Sequence, residues 1–104
     1  MPNVAAYTPD LMDRSKIAAA VADCRFVTRP EALVGLAGID VVLVDLSKRG
    51  VLEVLPAIVA GAARVVGYGA HVDHDLLAAA TEAGVDEVLP RSRFFSRLAE
   101  GALL

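Results

Sequence analysis

Asp40-Val41-Val42-Leu43-Val44-Asp45 is the stretch that decides the fold. Three valines and a leucine in succession, with no polar alternation, describe a strand covered on both faces, as the central strands of a parallel sheet are. Outward from it, short runs rich in β-branched residues alternate with longer alanine-rich segments of helical spacing, the pattern of parallel strands crossed by helices. Upstream, Val4 to Thr8 reads as a strand and Pro9-Asp10 as its punctuation. Leu11 to Asp23 follows as a helix, with Ile17, Ala20 and Val21 on the inner face and Asp13, Arg14 and Lys16 elsewhere. Cys24 to Thr28 is a second short strand, and Pro30 with Glu31 opens a helix that Gly35 and Gly38 keep short.

Downstream, Val51 to Ala60 has helical spacing, but Pro56 has no amide hydrogen to give a helix interior, which places the helix start near Leu55. Arg64 to Gly67 reads as the fourth strand. Asp73 to Ala83 is a helix with Leu76, Ala80 and Ala83 inward and Gly84 as its stop. Asp86 to Leu89 is the fifth strand, and Ser92 is placed to cap a last helix carrying Phe94, Phe95, Leu98 and Ala102. Five such units are expected to wind into a doubly wound, five-stranded parallel α/β sheet of the flavodoxin-like order 2-1-3-4-5.

The chain has 104 residues, the length of a single domain, and residues 1–104 are read as one. Hydrophobic residues make up 56% of it, enough to fill a core, and the net charge of −3 offers no global field for a nucleic-acid backbone. Arg91, Arg93 and Arg97 are the one local basic cluster. No run reaches the ~20 apolar residues of a membrane helix, and Met1-Pro2-Asn3 does not open a signal segment, so a cytoplasmic location is expected, without membrane or nucleic-acid partners. Cys24 is the sole cysteine, which excludes an internal disulfide and a cysteine-rich zinc site; it reads as a buried small hydrophobe.

Val41-Val42-Leu43-Val44-Asp45 resembles the third strand of the receiver domain of bacterial response regulators, with its terminal aspartate. The segment from Leu76 to Leu89, an alanine-rich helix closing at Ala83-Gly84 before a strand, resembles a receiver's fourth helix and fifth strand. The resemblance extends over nearly the whole chain. It implies a phosphorylation site built from two acids after the first strand, an aspartate ending the third, a hydroxyl residue ending the fourth and a Lys-Pro pair after the fifth. Asp45 matches the phosphoacceptor position and Asp10 one of the paired acids. The companion acid is replaced by Pro9 or Thr8, the hydroxyl residue by Gly69, and Lys-Pro by Arg91-Ser92; the loop after Asp45 is also short.

Each departure weakens the implied chemistry. Magnesium, the cofactor a phosphorylated Asp45 would require, loses a carboxylate ligand. A glycine has no hydroxyl to donate, and the planar fork of arginine does not replace the point charge of lysine. The expectation is therefore a pseudo-receiver, a receiver-shaped interaction or regulatory module without the standard aspartyl-phosphorylation cycle and with an unidentified protein partner. Two alternatives stand beside it: a true receiver phosphorylated on Asp45, and a small enzyme or anion-binding protein using Asp10, Asp45, His71 and Arg91 around one crevice.

Other residues carry weaker signals. His71, Asp73, His74 and Asp75 offer imidazoles and carboxylates, yet their spacing matches no strong metal signature and the two acids suit a helix start, so no metal is assigned. Arg91, Ser92 and Arg93 suit either an anion or a solvated cap. Tyr68 reads as a surface switch residue or as half-buried packing. Phe94, Phe95, Leu103 and Leu104 supply more apolar surface than a short terminal helix buries, from which a homodimer is expected through the region from Asp73 to the last helix.

Overall fold

The computed structural model describes residues 2–104. Five parallel strands form one sheet in the order β2-β1-β3-β4-β5: β1 (Val4–Tyr7), β2 (Arg25–Phe26), β3 (Val41–Asp45), β4 (Arg64–Gly69) and β5 (Glu87–Pro90). This is the flavodoxin-like arrangement expected from the alternating pattern. β3 pairs with β1 from Val4↔Val41 to Tyr7↔Val44, and with β4 from Val41↔Arg64 to Asp45↔Tyr68. All five residues of β3 are buried.

Strand alternation divides the core into two layers. Val4, Ala6, Val41, Leu43, Val66 and Tyr68 point to one side, where Ile17 of helix α1 (Leu11–Ala20) and Phe94 and Leu98 of helix α4 (Arg91–Ala99) cover them. Ala5, Tyr7, Val42, Val44 and Val65 point to the other. There they meet Leu33 of a 3₁₀ turn (Pro30–Leu33), Val51, Leu55 and Ile58 of helix α2 (Val51–Val59), and Ala80 of helix α3 (His74–Glu82).

Several boundaries differ from the sequence reading: β2 keeps only Arg25–Phe26 of the run from Cys24 to Thr28, and the last helix ends at Ala99, before Ala102. α1 ends at Ala20 rather than Asp23, and Asp23 takes a left-handed φ of 59° in the turn to β2. α2 begins at Val51, with Pro56 inside it. Proline leaves the Leu52 carbonyl without its helical donor, and both residues are exposed, so solvent satisfies what the helix does not. β4 continues to Gly69, because Gly67 is a packing glycine and not a turn: a Cβ there would lie 2.7 Å from Leu46 Cδ2. Finally, Pro90 precedes α4 and Ser92 lies exposed within its first turn, so Ser92 does not cap it.

The last helix is tied to the sheet by charge as well as apolar packing. Glu87 accepts from both Arg64 and Arg97, while Arg64 Nη1 donates to the Leu103 carbonyl at 3.2 Å and Arg97 Nη2 to the Ala102 carbonyl at 3.3 Å. The hydrogen bond from Arg97, aided by the charge of Arg64, holds the Glu87 carboxyl below its ordinary value. A carboxyl lowered on folding stabilises the protein fully above its unfolded-state pKa and loses that contribution as pH falls through the folded-state value. Glu87→Gln is therefore expected to flatten the acid limb of stability between about pH 6 and pH 3, by about 0.5 kcal/mol for a half-buried cluster that solvent still screens. Urea midpoints of both proteins across that range check it.

Candidate functional site

The carboxyl ends of β1, β3, β4 and β5 form the edge at which open parallel sheets place their ligand crevice. Thr8, following β1, is buried, and Asp10 then caps α1 by accepting from the amides of Met12 at 2.9 Å and Asp13 at 3.1 Å. The Asp13 amide holds the Asp10 carboxyl below its ordinary value against the opposing effect of desolvation, with the Met12 amide and the charges of Arg91 and Lys48 adding to the lowering.

Asp13, in the first turn of α1, is fully buried. This corrects its placement away from the face of Ile17, Ala20 and Val21: it lies one helical repeat before the buried Ile17 and turns inward with it, whereas Ala20 is exposed. Its two carboxylate oxygens receive the guanidinium of Arg91, which begins α4 directly after β5; the Nη1–Oδ2 arm is 2.6 Å and the second arm runs from Nη2 to Oδ1. Tyr68 donates its hydroxyl hydrogen to Asp13 Oδ2 at 3.2 Å. That leaves Thr8 as the donor across the 2.6 Å contact between the Thr8 and Tyr68 hydroxyls. No buried side-chain polar atom among the described residues lacks a partner.

An aromatic stack supports this chain of hydrogen bonds. The Tyr68 ring lies 4.3 Å from that of Phe94 at 23°, and Phe95 meets both rings edge-on. Arg91 sits 5.1 Å above Phe95 and 5.9 Å from the Tyr68 centroid. Tyr68 is thus fully buried, neither a surface switch nor half-buried. Burial, with the nearby carboxylates of Asp45 and Asp13, pushes its phenol well above the ordinary range, so it remains a neutral donor. The hydrogen bond from Arg91 to Asp13 raises the guanidinium further, which fixes it as a permanent cation.

Asp45 ends β3 and is almost wholly buried; its Oδ1 accepts from the Ser47 amide at 3.0 Å and the Ser47 hydroxyl at 2.7 Å, while Lys48 Nζ lies 3.9 Å from Oδ2. Gly69 is buried under Leu76 and Leu77, where a Cβ would come within 3.2 Å of Leu76 Cδ2. His71 and Ser92 are exposed and join none of these contacts. Asp73 caps α3 by accepting from the Leu76 amide at 3.3 Å, and His74 and Asp75 are exposed in its first turn. Cys24 is half-buried against the core, and burial pushes its thiol up to about 11, which disfavours the nucleophilic thiolate.

The magnesium site that the receiver resemblance implies does not fit these residues. Asp10 is engaged by two amides, Asp13 by Arg91 and Tyr68, and Asp45 by Ser47; among the described residues no three metal-ligating side chains gather. Asp13, Tyr68 and Thr8 were absent from the sequence-based site, although the four-residue spacing from Asp13 to Ile17 was a usable signal for the first. No protein-family model matches the chain, and no curated protein matches it in sequence. Among the described residues no helix is long and apolar enough to cross a membrane.

Proposed function

We propose that the chain is a receiver-shaped protein-interaction module that operates without aspartyl phosphorylation. One observation carries this reading: the Arg91 fork closes on the buried Asp13, so the cation directly after β5 is engaged away from Asp45. Phosphoryl transfer to a carboxylate needs metal and cation to neutralise charge building on the transferring group; here Asp10 and Asp13 are engaged by amides and by Arg91, which leaves Lys48 as the cation beside Asp45 and no gathered set of metal ligands among the described residues. The closed edge is a fixed part of the scaffold, and recognition falls to its outer surfaces.

Incubation with acetyl phosphate and magnesium, followed by intact-mass spectrometry, tests the proposal. The expected result is an unmodified chain. A single added phosphoryl group that disappears in Asp45→Asn overturns the reading in favour of a true receiver. The burial of Phe94 and Leu103 in the chain's own core removes most of the apolar surface from which self-association was expected, leaving Leu104 and part of Phe95.

A further inference from the structure

We infer that the groove between α1 and α4 is a docking surface for an acidic amphipathic helix of another protein, an inference that rests on the reading of the chain as an interaction module. The groove has a volume of about 520 Å³ and is lined by Lys16, Ala19, Ala20, Phe95, Leu98 and Ala99, so its floor is apolar and its one charge is positive. Ala19, Ala20 and Ala99 are exposed, and small side chains on two neighbouring helices let a third helix backbone approach closely. Phe95 lies between two cations, with Lys16 5.0 Å and Arg91 5.1 Å from its ring.

Charge names the partner. α1 and α4 carry Arg14, Lys16, Arg91, Arg93 and Arg97 against the single acid Asp13, which is buried. The 3₁₀ turn, α2 and α3, on the opposite face of the sheet, carry Glu31, Glu53, Asp75 and Glu82 and no lysine or arginine. A chain of net charge −3 has therefore gathered its helical cations on the side that holds the groove. Among the described residues Arg14, Lys16 and Arg93 have no carboxylate partner within ion-pair distance. Carboxylates flanking an apolar ridge complement this surface and steer its encounter. A second copy fits less well, because Val51, Leu55, Ile58 and Ala80 of its acidic helices are buried in its own core.

The test uses a fluorescein-labelled helical peptide with leucines at i, i+3, i+4 and i+7 and glutamates along both flanks, and a twin in which lysines replace the glutamates. Fluorescence anisotropy is expected to show binding of the glutamate peptide alone, weakened about tenfold by either Ala19→Glu or Lys16→Glu and unchanged by Ala18→Glu, which adds the same charge on α1 outside the groove. All three positions are exposed, and circular dichroism verifies that each variant folds. Absence of binding, equal binding of both peptides, or equal effects of Ala18→Glu and Ala19→Glu overturns the assignment. Sedimentation showing a dimer that Ala19→Glu dissolves gives the groove to a second copy and likewise overturns it. Any of these failures with Asp45 still unphosphorylated leaves the module reading standing, whereas phosphorylation of Asp45 removes that reading whatever the peptides do.

Discussion

Arg91→Ala is expected to lower the free energy of unfolding by about 3 kcal/mol, the low end of what is lost when one partner leaves a buried ion pair. The low end applies because the Arg91 side chain is 45% exposed, so solvent already screens part of the interaction. Asp13 has no such access: with the arginine gone, its buried carboxylate keeps only the hydrogen bond from Tyr68. Asp13→Asn is expected to cost less, about 1–2 kcal/mol, because a neutral amide strands no charge and the released Arg91 can turn to water. Arg91→Lys falls between the two, since it keeps the charge and loses one arm of the fork and the seat over Phe95. Urea denaturation of the three variants gives the order directly. An Asp13→Asn variant less stable than Arg91→Ala would show that the pair holds α4 in place through Asp13 contacts other than charge.

The asymmetry of that pair also explains why the carboxyl edge is legible in the sequence only in part. β3 was readable because continuous burial on two faces leaves a local mark, Val41 to Val44 without alternation. The helix-start role of Asp73 was likewise local, depending on the Leu76 amide three residues on, whereas Asp10, read as one of the paired acids, proves to cap α1 through the amides of Met12 and Asp13. Arg91 and Asp13 are separated by 78 positions, and nothing near either names the other. A charged residue one helical repeat before a core isoleucine signalled an inward acid, which needs a partner, and the basic residue directly after β5 was the available one. Tyr68 was obscured differently. In sequence the fourth strand reads as ending at Gly67, one residue short of it, whereas Gly67 admits Leu46 and Gly69 admits Leu76, both serving a strand that carries the ring into the core.

Tyr68 depends on a second neighbour, and the cost of removing it is expected to be the largest of any single truncation here. Phe94→Ala should destabilise the protein by about 4 kcal/mol, as deletion of a wholly buried aromatic ring loses its transfer free energy and leaves a cavity. The stack on Tyr68 at 4.3 Å and the edge contact with Phe95 at 4.9 Å add the specific geometry of three mutually packed rings. Against a total stability of about 5–15 kcal/mol for a domain, such a loss leaves little margin. Phe95→Ala should cost clearly less, since that ring is only partly buried. The cavity lies against the face of Tyr68, so a ring that settles into it carries its hydroxyl away from Asp13 and Thr8. Phe94→Ala and Arg91→Ala then act on the same carboxylate from two directions, and their effects are expected to depart from additivity by at least about 0.5 kcal/mol. A double-mutant cycle in urea measures that coupling, with Phe94→Leu in place of alanine if the truncated protein does not fold. A coupling indistinguishable from zero would mean that Tyr68 holds its position without Phe94, and that the hydrogen-bond chain and the aromatic stack are independent supports of the closed edge.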